Sequence, residues 1–105
     1  TLNITPSATT SKIFVQVSVS NLFGASGNNV FLTIYRGSTN LGGSNGMATH
    51  GGFNENVPAS MTILDSPSST SQLTYQLYAK VSGGSSSKYG DSNSPSVITA
   101  FEVGA

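Results

Sequence analysis

At 105 residues the chain has room for one domain, spanning 1–105, and none for a second core. Charged side chains make up only 8% of it, four basic and four acidic with no net charge, so the basic patch that phosphate neutralisation requires cannot be assembled and nucleic acid is excluded as a partner. The absence of cysteine and the single histidine exclude a disulfide framework and a Cys/His zinc site, and no run of about 20 apolar residues marks a membrane-inserting helix.

The chain opens at Thr1 without a methionine and reads as an excised fragment ahead of a processed product; TLNITPSATTSK has neither the basic start nor the apolar stretch of a signal peptide. Across residues 4–12 Pro6 fixes φ and a Ser/Thr cluster forms a turn into the first long strand. SKIFVQVSVS then sets Ile13, Val15, Val17 and Val19 against Phe14, Gln16 and Ser18. NVFLTIYR sets Val30, Leu32 and Ile34 against Phe31, Thr33 and Tyr35, and Tyr35-Arg36-Gly37-Ser38 ends it in a tight turn with Gly37 free to take positive φ. Residues 41–58, with five glycines, read as a long excursion holding one short strand near Met47 to His50. Met61 and Ile63 alternate within SMTILD, and Asp65-Ser66-Pro67 stops that strand with Asp65 placed as a turn cap.

QLTYQLYAKV sets Leu73, Tyr75, Leu77, Ala79 and Val81 against Thr74, Gln76, Tyr78 and Lys80. Residues 83–95 form a second long loop closed by Pro95, and in SVITAFEV the face of Val97, Thr99, Phe101 and Val103 is expected to turn inward, against Ile98, Ala100 and Glu102. Each segment has period two, and none holds a 3.6-residue apolar period, so the expected fold is all-β: an antiparallel β-sandwich without helices. The expected outer faces are not very polar. Phe14, Phe31, Tyr35, Leu64, Tyr78 and Ile98 lie opposite the core set, which calls for either a second sheet or a subunit to cover them; Phe14, Phe31, Tyr35 and Tyr78 are the candidate interface residues.

Three stretches together, ITPSATTSKIFVQV, then YRGSTNLG followed by LDSPSSTSQLTYQLYAKV, then the closing SVITAFEV, resemble the small C-terminal β-domain of bacteriophage virion proteins, chiefly tail fibres, and especially those of phages of marine cyanobacteria. The resemblance covers roughly residues 2–38, 60–81 and 96–103. It implies a jelly-roll-like sandwich, a homotrimer in the virion, and other virion proteins as partners. It also implies one of two roles: a tail-fibre tip that binds a host cell-surface glycan or protein through loops, or a head-decoration or fibre-packing domain with only virion partners. The chain departs from the family pattern at NLGGSNGMATHGGFNEN and SSSKYGDSNSP, which fall in the two long loops where a receptor-binding module varies.

No catalytic set is expected. His50 has no G-x-S-x-G elbow beside it, and Glu55, Asp65, Asp91 and Glu102 are scattered over four segments. The one carboxylate of DSNS at 91–94 is too few for calcium, and no residue set calls for a cofactor. The aromatics Phe23, Phe53 and Tyr89 fall in expected loops, where a flat ring beside Asn and Ser makes a sugar platform. The candidate receptor contacts are therefore Tyr89 with its loop neighbours Lys88, Asp91 and Asn93, together with Phe53 and His50.

Overall fold

A computed structural model describes residues 1–24, 29–51, 55–81, 88–89 and 96–104, with backbone only for Lys88 and Tyr89. The described residues are all-β, in nine strands: β1 Leu2–Ile4, β2 Lys12–Gly24, β3 Val30–Arg36, β4 Thr39–Asn40, β5 Ala48–His50, β6 Glu55–Asp65, β7 Leu73–Val81, β8 Lys88–Tyr89 and β9 Val97–Val103. Every pairing is antiparallel. In sheet I the order runs β1-β7-β3, and β4 and β5 share the far edge of β3. In sheet II β6 lies on one side of β2, while β9 and β8 divide the other.

The inward rows of the two sheets meet in one core of Ile13, Val15, Val17, Val19, Leu22, Val30, Leu32, Ile34, Met61 and Tyr75. Consecutive side chains of a strand point to opposite faces, so the alternation of β2 and β3 delivers seven of these ten residues directly. Val19 and Leu22 both reach the core although three positions apart, because Ser20 and Asn21 together oppose only Pro58: Val19 pairs with Ala59 and Leu22 with Val57. That bulge restores the inward parity of β2, and it accommodates a proline in β6, which pairs with β2 alone. The turn after β3 takes the expected form. Gly37 has φ of 58°, and its N–H donates to the Thr74 carbonyl at 2.8 Å.

Two expectations about the strands change. The first is β9, which runs with the opposite parity. Ile98 and Ala100 pack against the core, while Val97 and Phe101 are more than half exposed and Val103 also faces out. Its register sets Phe101 beside Phe14 and Glu102 beside Ile13, so the Phe14 row, already outward on β2, decides the face. The second is the excursion of 41–58, which is shorter than expected because β6 starts at Glu55. The opening adds a strand that the alternation does not mark, Leu2–Ile4, paired to the start of β7.

Asp65 is not a turn cap. It is 6% exposed at the end of β6, accepts from Arg36 Nη1 at 2.5 Å through Oδ1, and accepts from the Tyr75 hydroxyl at 2.6 Å through Oδ2. Glu102, placed on an outer face by the alternation, turns toward residues 7–11 instead. Its Oε2 accepts from the Ser7 N–H at 2.8 Å and the Ser7 hydroxyl at 2.6 Å. These bonds, with one from the Ser11 hydroxyl as the largest contribution, hold the Glu102 carboxyl below its ordinary value.

Candidate functional site: an aromatic depression on sheet I

The site is built where β3 loses its neighbour. Leu41 N–H donates to the Ile34 carbonyl at 3.0 Å, and Met47 N–H donates to the Leu32 carbonyl at 2.7 Å, so both residues continue the edge ladder along β3. The five residues between them are squeezed out. A bond of 2.9 Å from Gly46 N–H to the Gly43 carbonyl closes the resulting loop. Two glycines let it lie flat on the sheet. A Cβ at Gly42 would stand 2.6 Å from Thr33 Oγ1, and one at Gly46, where φ is +74°, would run into the Leu32 carbonyl.

Beside this loop the outer face of sheet I carries a depression of about 210 Å³. Its floor is Thr33, 8% exposed, whose hydroxyl donates to Asn40 Oδ1 at 2.7 Å. The same Asn40 oxygen accepts from Gly42 N–H at 2.9 Å, which fixes the side-chain amide in the rim. Phe31, Tyr35 and Tyr78 form the aromatic walls, with the Tyr35 and Tyr78 rings 4.2 Å apart and tilted by 58°. Lys80 lies opposite Phe31 in register and holds its Nζ 5.4 Å from that ring's centroid, while donating to the Ser44 carbonyl at 2.9 Å. An ammonium over an aromatic face is attracted by the ring's quadrupole. Lysine carries three donor hydrogens, so two remain for a ligand. Among the described residues no carboxylate lines the depression.

The four candidate interface residues do not form one surface. Phe31, Tyr35 and Tyr78 share the outer face of sheet I; Phe14 is on the outer face of sheet II. There Phe14 pairs with Leu64 on one side and Phe101 on the other, the two phenyl rings 5.0 Å apart, giving an apolar row across β6, β2 and β9. Leu64 and Phe101 are each 51% exposed.

Of the expected receptor contacts, His50 is corrected. It is 8% exposed, pairs with Val30 in register, and sets its ring Nε2 3.3 Å from the Glu55 carbonyl oxygen, so it is a packing residue that joins the starts of β3 and β6. Phe53, Asp91 and Asn93 lie outside the described residues, as do the side chains of Lys88 and Tyr89. The backbone of those last two pairs with Phe23 and Leu22, so Phe23 belongs to β2 and not to a loop. Sequence reasoning missed Thr33, Asn40, Ser44 and Lys80 as lining residues. The available signal was the same-face row Gln76, Tyr78, Lys80 opposite Phe31, Thr33, Tyr35, which needs the β3–β7 register to be read.

No protein-family model, curated protein or solved structure matches the chain.

Proposed function

We propose that the chain is a non-catalytic bacteriophage virion domain, a tail-fibre tip that holds a host cell-surface ligand on the outer face of sheet I. The observation that carries this reading is the depression itself: three aromatic walls around a small set of fixed polar groups, the combination that typifies small-ligand sites. Its volume, below the roughly 300–1,000 Å³ of drug-sized pockets, suits one ring of an extended surface polymer and favours a glycan over a folded protein. The non-catalytic reading is supported by three ionisable groups that are already engaged elsewhere. Asp65 is engaged by Arg36 and Tyr75, Glu102 by Ser7, and His50 by packing.

The sandwich we propose follows the immunoglobulin pairing in place of a jelly roll. β2 beside β6 and β3 beside β7 correspond to the B·E and C·F pairs of that fold, with the two terminal strands exchanged: β1 adjoins β7 and β9 adjoins β2. A second reading, a packing domain with only virion partners, is favoured by the apolar row of Leu64, Phe14 and Phe101. In the tip reading that row is the homotrimer interface.

Labelling of intact cyanobacterial cells with the fluorescent domain tests the tip reading. The expected outcome is saturable labelling that Tyr78→Ala lowers about tenfold or more, as loss of an aromatic anchor does. Tyr89→Ala, on β8, is expected to have the smaller effect. Absence of labelling on every strain would leave the packing reading in its place.

A further inference from the structure

We propose that the depression on sheet I selects an acidic sugar, a pyranose ring bearing one carboxylate; the inference rests on the reading of this face as a glycan site. The lining is asymmetric in charge. Among the described residues Lys80 is its single charged group, and Glu55, Asp65 and Glu102 all lie outside it. A neutral sugar would gain stacking and neutral hydrogen bonds here, and would gain nothing from the ammonium that a water could not supply. A carboxylated ring gains a charge-assisted bond as well, which is about twice as strong as a neutral one.

The ammonium is also held in place before any ligand arrives. The Ser44 carbonyl takes one of its hydrogens at 2.9 Å, and the Phe31 ring sits beneath it at 5.4 Å. A lysine side chain already engaged in this way has less rotamer freedom left to lose on binding. On β7, Tyr78 and Lys80 share one face two residues apart, about 7 Å. That separation sets a ring stacked on Tyr78 next to a substituent that reaches Lys80. Asn40, its oxygen already taken by Thr33 and Gly42, offers its amide hydrogens to ring hydroxyls from the rim; its bond to the Gly43 carbonyl is long, at 3.4 Å.

The test uses matched probes on the whole 105-residue chain. Short oligomers of glucuronate, galacturonate and sialate are titrated by calorimetry against the same oligomers with each carboxylate reduced to an alcohol. At least one acid form is expected to bind about tenfold or more tightly than its reduced partner in low salt, and the preference is expected to shrink in 1 M salt, where the Debye length is about 3 Å. Lys80→Gln is expected to erase the preference while keeping the weaker binding; Tyr78→Ala is expected to remove both. Equal binding of the two forms, a preference that survives Lys80→Gln, or no binding by any acid form overturns the acidic-sugar inference. The wider reading fails separately, by loss of cell labelling.

Discussion

The Tyr75 hydroxyl donates to Asp65 Oδ2 at 2.6 Å, and that bond crosses from β7 in sheet I to β6 in sheet II. Arg36 of β3 completes the clasp on Asp65 Oδ1 at 2.5 Å. The clasp ties the ends of three strands together at one edge of the core, and Arg36 immediately follows Tyr35, a wall of the depression. Tyr75→Phe strands one buried carboxylate oxygen and is expected to cost about 1–3 kcal/mol. Asp65→Ala strands Arg36 and the Tyr75 hydroxyl together. Because Arg36 remains 25% exposed and recovers some hydration, the expected loss is near the low end of the roughly 3–5 kcal/mol for a broken buried pair. Urea denaturation of the two variants checks the order.

Two groups give the stability profile its limbs. Burial, and then the hydrogen bond to Asp65, push the Tyr75 phenol above its ordinary value of 10.0. Below that value tyrosine is neutral in both states; above it the unfolded chain loses the proton first, so the folded state binds more protons and stability falls as pH rises. The contribution is therefore complete below pH 10, is lost on the alkaline side, and is absent from Tyr75→Phe. Glu102 has the opposite sign. Its contribution is present above the ordinary carboxyl value of 4.5 and is lost as pH falls through the lower folded value, so Glu102→Gln is expected to flatten the acid limb. Midpoints of denaturation from pH 2 to 11 measure both limbs.

Gly46 and Gly37 both have positive φ, but they differ in surroundings. Nothing lies within 4 Å of a Cβ at Gly37, so Gly37→Ala is expected to cost only the left-handed penalty of about 1–2 kcal/mol. At Gly46 the same penalty is joined by collision with the Leu32 carbonyl, and Gly46→Ala is expected to lose about 1–3 kcal/mol more as the 42–46 loop lifts from the sheet. Thermal denaturation separates the two. Ligand binding is expected to fall in the Gly46 variant and stay unchanged in the Gly37 variant.

The outer row of sheet II predicts association. Phe101→Ser removes the ring that packs on Phe14 and one of the two residues of the row that are half exposed. It is expected to shift the protein toward monomer in sedimentation velocity while leaving the folded-state spectrum intact. A wild-type chain that is monomeric at high micromolar concentration contradicts the trimer.

How far the sequence could be read follows from which side chains were unambiguous. β2 and β3 carry branched aliphatics at every second position, and their inward rows match the core residue for residue. SVITAFEV carries apolar residues on both parities, so periodicity alone could not orient β9; its face was settled by pairing with Phe14, more than 80 residues away. Asp65 beside Pro67 has the local chemistry of a turn, and only the fold brings Arg36 and Tyr75 to it. Alternation alone places the three aromatic walls on an outward face, but it does not show that Phe14 belongs to the other sheet. Lys80 is set over Phe31 by the β3–β7 register, which alternation within β7 does not reveal.

The measurement that bears most directly on the central claim, that the outer face of sheet I meets the ligand, is backbone NMR of the labelled domain titrated with surface polysaccharide from a cell that it labels. Shifts are expected to cluster on Phe31, Tyr35, Asn40, Ser44, Tyr78 and Lys80. Shifts confined to Leu64, Phe14 and Phe101, or to residues 88–93, would contradict it.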